Sequence, residues 1–125
     1  MDVNRIAVAF ANAEGFYVPG SLPQRIHNPG DLEEGDRGYG VLEGKTIFFN
    51  DADGWAALYT QVERMLSGKS PLYPPTMTLA EAGMRYSGGD ANWAKNVAAA
   101  LGVDESITLA ELDQLTENLA WPNSD

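Results

Sequence analysis

The residue best fitted by type and position to do chemistry is Glu14. It follows Phe10 by four positions, Ala7 by seven and Ile6 by eight. It therefore extends the apolar stripe Val3, Ile6, Ala7, Phe10 of a helix predicted from about Asp2 to Ala13. A carboxyl group on that stripe points to the core side. At the helix C-terminus the macrodipole is negative and opposes a further negative charge. Burial and dipole both penalise the ionised form, so the pKa is expected to rise. A carboxyl that keeps its proton near neutral pH is a general acid, and such a group contributes typically ~10²–10⁴-fold in rate. The same spacing also accommodates a glutamate at a fraying helix end, solvated or paired with Arg25.

Other chemistries are excluded by the residue inventory. The chain has no cysteine, which removes disulfides, thiol catalysis and thiolate zinc. Its single histidine, His27, removes any multi-histidine metal centre. Asp51-x-Asp53-Gly54 hints at calcium, but the glutamate an EF-hand needs at loop position 12 is Val62. Gly38-x-Gly40 lacks the third glycine of a dinucleotide loop. Ser21 and Ser87 have at most one histidine to serve them and no esterase-type elbow around them. No metal and no cofactor are expected. The formal net charge of −10 argues against nucleic acid as a partner, and no apolar run is long enough to span a bilayer. At 125 residues with 44% hydrophobic content, one domain with one core is expected, acting as a monomer.

The elements that must position Glu14 follow from local signals. Gly15 offers a cap for the first helix, and Pro19-Gly20 prevents its continuation. From Gly15 to about Asn50 the chain is rich in turn formers, and within it Tyr39–Leu42 and Lys45–Phe49 flank Glu43-Gly44 as a predicted hairpin. The second half is read as helical. Trp55, Leu58, Tyr59, Val62, Met65 and Leu66 hold helical spacing between an Asn50-Asp51 start and Gly68. After a proline-rich link from Pro71 to Pro75, Thr78-Leu79-Ala80-Glu81 and Thr108-Leu109-Ala110-Glu111 are two identical capping boxes, taken as local helix starts and not as a duplicated domain. Trp93, Val97 and Leu101 mark a helix closed by Gly102 and Val103; Leu109, Leu112, Leu115 and Leu119 mark the last one. The expected class is α+β, mainly α, with about five helices, a small β-hairpin region and a frayed tail from about residue 122.

Several blocks, in their order, resemble a group of phage-associated lysozyme-like proteins. They are Ala13-Glu14-Gly15-Phe16-Tyr17, Pro19-Gly20-Ser21-Leu22-Pro23-Gln24-Arg25, Asn28-Pro29-Gly30-Asp31-Leu32, Asp53-Gly54-Trp55-Ala56-Ala57-Leu58, Thr78-Leu79-Ala80-Glu81, Arg85-Tyr86-Ser87 and Trp93-Ala94-Lys95-Asn96-Val97. The group's hallmark is a helix-terminal E-G followed by R-x-N-N-P-G-[ND]-[LI]. The likeness runs from about Ile6 to Leu112. It implies a lysozyme-like fold in which the helix-terminal glutamate, here Glu14, is the general acid in cleavage of peptidoglycan glycan strands. Where the group usually has asparagine this chain has His27, which either reaches the cleft and shifts its pH response or holds the turn. A hydrolase of this kind needs a second carboxylate, and from Asp31, Glu33, Glu34 and Asp36 the Asn28-Pro29-Gly30 turn favours Asp31; the alternative for Asp31 is a turn carboxylate. A lytic transglycosylase needs none. Tyr39 and Tyr86 are expected to stack on sugar rings, and Asn28 and Asn96 to hydrogen-bond them, whereas Trp55 and Trp93 at helical spacing are expected in the core. With no secretory leader apparent at the N-terminus, the expectation is a mature form, a cytoplasmic protein or one freed by phage lysis, acting in the periplasm, outside the cell or on a virion. Repulsion from an anionic wall predicts an acidic optimum.

Overall fold

The computed structural model describes residues 2–33, 38 and 40–117. Within them lie six helices and one two-stranded antiparallel sheet, a mainly helical α+β arrangement. The tail expected to fray lies outside the described residues, as does Leu119. Among the described residues no helix is long and apolar enough to cross a membrane.

Helix α1 spans Val3–Ala13, with the Asp2 side chain accepting the Arg5 N–H at its start. Its stripe buries Ile6, Ala7 and Phe10, with Ala9 and Ala11 beside them. The helix ends in a Schellman motif. Glu14 is the C-cap, Gly15 takes φ +79°, and the Phe16 and Gly15 N–H groups return to the carbonyls of Ala11 and Asn12 at 3.0 and 3.1 Å. The cap is thus one residue earlier than the glycine itself. Only glycine enters that left-handed region without penalty, so Gly15 fixes where α1 stops and which residue is left at its tip.

The turn-rich segment holds one element its composition concealed, the single-turn helix α2, Leu22–Arg25. It is started by Ser21, whose hydroxyl accepts the Gln24 N–H, and carries Pro23 in its first turn. Strands β1, Gly40–Leu42, and β2, Lys45–Ile47, pair with Leu42 opposite Lys45. Glu43 and Gly44 both adopt positive φ, +51° and +80°, as a two-residue type I′ loop requires. β2 is shorter than the predicted Lys45–Phe49; the next residue, Phe48, is buried and donates its N–H to Ile26 O. The far edge of β2 is taken by the stretch after Pro29. Thr46 N–H donates to Leu32 O at 3.0 Å, and Glu33 bridges to Lys45.

Helix α3, Asp51–Leu66, starts at Asn50, whose side chain accepts the Asp53 N–H. Helices α4, Leu79–Ser87, α5, Ala91–Leu101, and α6, Leu109–Glu117, complete the chain. α1 packs on α5 and α3, α4 on α5, and α6 on α3, around a core that includes Phe10, Leu58, Val62, Trp93, Val97 and Leu112. Gly54 lies where α3 meets the His27 peptide; a Cβ there would sit 2.0 Å from His27 O. At the end of α5, Gly102 is left-handed and Val103 N–H returns to Ala98 O.

Both Thr-Leu-Ala-Glu segments form capping boxes, each threonine hydroxyl accepting the glutamate N–H at 3.1 Å and each glutamate accepting the threonine N–H at 3.0 Å. They also face each other. Leu79 N–H donates to Ile107 O and Leu109 N–H to Met77 O, at 2.7 and 2.9 Å; Ala80 N–H donates to Glu105 O and Ala110 N–H to Pro75 O, at 2.9 and 3.0 Å. The two helix starts are therefore related by a local two-fold and complete one another's hydrogen bonding.

Candidate active site

Glu14 is brought to the tip of α1 by the Schellman stop and is only partly exposed there. α5 runs alongside and supplies Trp93, 1% exposed, whose indole Nε1–H donates to Glu14 Oε1 at 2.9 Å. A buried indole N–H needs an acceptor, and the carboxylate is that acceptor. Phe10 meets the Trp93 ring edge-on at 4.7 Å and the Tyr86 ring at 5.3 Å, while Tyr86 and Trp93 lie 5.0 Å apart. Three aromatic rings from α1, α4 and α5 thus gather beside the carboxyl and remove water from one side of it.

The other side is polar. The chain from Asn28 to Leu32 is held by three separate clamps. Asn28 is fully buried; its amide nitrogen donates to Leu32 O and Thr46 O at 2.9 and 3.0 Å, and its oxygen accepts the Leu32 N–H at 2.9 Å. Tyr86 Oη donates to Gly30 O at 2.7 Å. Asp31 Oδ2 pairs with Lys45 Nζ of β2 at 3.3 Å. So held, Asp31 sits at φ +50°, a region that Asp and Asn tolerate better than most residues. Its carboxyl is set against that of Glu14 within hydrogen-bonding reach.

Burial pushes the Glu14 carboxyl up from 4.5 to about 7, with the negative charge of Asp31 the next contribution. The Trp93 hydrogen bond and the Lys45 cation pull it back part of the way. The balance leaves a half-buried acid that exchanges its proton near neutrality. Burial also raises the Tyr86 hydroxyl well above its usual value, so it stays a donor to Gly30 O. Tyr73, buried in the proline-rich link, is raised for the same reason, with Arg85 and Glu33 near enough to act on it.

No family model, curated protein or solved structure matches this chain. The chemistry of the site rests on its own geometry.

The structure brings Glu14, Asp31, Asn28 and Tyr86 together and leaves Asn96 and His27 elsewhere. Asn28 is buried scaffold, and Tyr86 is half-buried. The Asn28 amide has its polar atoms engaged inside the protein, and Tyr86 packs on Phe10 and Trp93 with its hydroxyl engaged by Gly30. Asn28 thus has its amide committed within the fold, while part of Tyr86 remains exposed. Asn96 lies on the exposed face of α5, away from the stripe of Trp93, Val97 and Leu101 that faces the core. His27 Nδ1 bonds Asp51 Oδ1 at 2.7 Å at the start of α3, and its φ of +56° places it as a turn residue. Tyr39, Glu34 and Asp36 lie outside the described residues. Two residues of the site were not expected in it. Trp93 belongs to the core as its spacing indicates, yet its N–H is the hand that holds Glu14; the one hint is that a buried tryptophan must find an acceptor. Lys45 carries no local signal at all. Two concavities, about 370 Å³ against Phe48, Phe49 and Asp53 and about 440 Å³ between α1, α3 and α6, are lined by neither Glu14 nor Asp31.

Proposed function

We propose that this chain cleaves the β-1,4 glycosidic bond between N-acetylmuramic acid and N-acetylglucosamine in peptidoglycan, on a lysozyme-like fold, with Glu14 as the general acid. The observation that carries this reading is a single carboxyl, at a helix tip and against three aromatic rings, raised to a pKa of about 7. The resemblance of the E-G and N-P-G-D-L blocks points to the same residue by a separate route. In the reaction the Glu14 proton passes to the glycosidic oxygen as the C1–O bond breaks, and the electron pair of that bond leaves with the oxygen. The carboxylate so formed then accepts a proton from water in hydrolysis, or from the muramyl 6-hydroxyl in transglycosylation, as the oxygen that loses it bonds to C1.

The acid must hold its proton, so the rate is expected to be high below about pH 7 and to fall as pH rises through that value. Purified protein incubated with peptidoglycan should release fragments with new reducing ends or 1,6-anhydro ends, two products that mass spectrometry separates by one water. Glu14→Gln, folded to the same melting profile or better, should release neither. Saturable binding to wall fragments with neither product would instead assign the chain to a saccharide-binding or virion-structural role. Wild-type rates from Glu14→Gln would remove Glu14 from the mechanism.

A further inference from the structure

We propose that Asp31 is a positioning residue that keeps the transferable proton on Glu14, bonding to that carboxyl from the protein side instead of facing it across a substrate, while Lys45 holds Asp31 in place. The proposal rests on the reading of Glu14 as the acid. Its grounds are geometric. Among the described residues, Asp31 Oδ1 is the one buried side-chain oxygen or nitrogen without a hydrogen-bond partner, and the carboxyl set against it is that of Glu14. Two carboxylates give each other nothing to bond; one proton between them satisfies the buried acceptor. Glu14 Oε1 is already taken by Trp93 Nε1–H, which leaves its other oxygen to carry the proton and donate it to Asp31. Asp31 Oδ2 is taken by Lys45. That leaves Asp31 Oδ1 as the open acceptor for the Glu14 proton.

The same contacts argue against Asp31 as the opposing carboxylate of a hydrolase. Carboxyls that flank a scissile bond stand about 5–5.5 Å apart in retaining enzymes and farther in inverting ones, to admit a sugar carbon or a water. Carboxyls that share a hydrogen bond are closer than either arrangement allows. The strand register supports the pairing, since Thr46 N–H to Leu32 O and the three Asn28 hydrogen bonds lock the Asp31 backbone to the strand carrying Lys45. The charged and titratable groups set against Glu14 are Asp31 from this stretch, Lys45 from β2 and Tyr86 from α4, with the Trp93 N–H from α5.

The test follows the Glu14 carboxyl carbon by NMR titration, alongside the pH–rate profile, in wild type, Asp31→Asn, Lys45→Met and Lys45→Arg. Asparagine keeps the shape and tolerates the positive φ. Asp31→Asn removes the charge that raises Glu14, so the midpoint and the alkaline limb should both fall, by about one pH unit or more. Lys45→Met removes a cation that steadies the Glu14 carboxylate and should move both upward; Lys45→Arg should restore wild-type values. At pH 5, Asp31→Asn should lose less than the ~10²-fold that deletion of an acid–base group costs. An unchanged midpoint in Asp31→Asn would overturn the proposal, and so would a folded Asp31→Asn that loses more than that at every pH. Should wild type cleave nothing while the midpoints move as described, the enzymatic reading fails and the pair stands.

Discussion

Replacing Glu14 by glutamine should stabilise the protein, and by an amount that depends on pH. In the unfolded chain the carboxyl ionises near 4.5; in the fold it does so near 7. Between those values the folded state binds more protons than the unfolded state, so stability declines as pH rises across the window and levels off above it. The sign is opposite to that of a salt-bridged carboxylate. At about 1.4 kcal/mol per pH unit, the gap between the two values amounts to about 3 kcal/mol. Glutamine mimics the protonated acid: its oxygen can accept the Trp93 N–H, and its amide can donate to Asp31 Oδ1. Glu14→Gln should therefore match wild type near pH 4 and exceed it by about 3 kcal/mol at pH 8 and above, roughly 10 °C in melting temperature for a domain of this size. Thermal unfolding followed by circular dichroism at five pH values, with the variant compared with wild type at each, measures this directly. A difference in melting temperature that stays constant from pH 4 to pH 9 would refute the argument that burial holds the proton on Glu14.

Trp93→Phe keeps most of the ring packing and deletes the N–H that steadies the Glu14 carboxylate, so the alkaline limb of the rate profile should move to higher pH; a limb that moves down or stays put would count against this hydrogen bond. Asn28→Ala takes the acceptor from Leu32 N–H and the side-chain donor from Thr46 O, while Leu32 O keeps the Thr46 N–H; at about 1–3 kcal/mol for a buried polar group left unsatisfied, chemical denaturation should register a loss of at least about 2 kcal/mol. Gly54→Ala drives a methyl into the His27 carbonyl, and the strain should cost about 1–3 kcal/mol on the same denaturation curves, with none of the small gain a helical alanine ordinarily brings.

Much of this architecture is legible in the chain because it is decided locally. The Val3, Ile6, Ala7, Phe10 stripe, the Gly15 stop, the Glu43-Gly44 loop and both threonine caps act over a few residues, and each is found where its signal lies. Glu14 is legible for the same reason, since stripe and helix end suffice to predict its burial. The exposure of Asn96 also follows from helix phase: Val97 is a core position, and the preceding residue is turned about 100° away. What composition conceals are contacts between segments distant in the chain. Asn28-Pro29-Gly30 announces a turn, but only the tertiary fold places β2 and Leu32 around the asparagine and so buries it. Lys45 lies 14 residues beyond Asp31, and the register of a strand that first has to form brings them together. Trp93 lies 79 residues from Glu14 and is joined to it by the packing of α5 on α1. The helix α2 escapes notice because a single turn begun by Ser21 carries no periodicity.

The mutual completion of the two threonine-capped starts bears on how the second half of the molecule assembles. Each helix closes its first turn with its own capping box, but the carbonyls that receive its first two N–H groups belong to the approach of the other. Both positive helix ends are also brought to one place, and Glu81 and Glu111, each held below the usual carboxylate range by its threonine hydrogen bonds, keep a negative charge at each end. Thirty residues apart in the chain, the two helix starts are therefore coupled, and loss of one is expected to loosen the other.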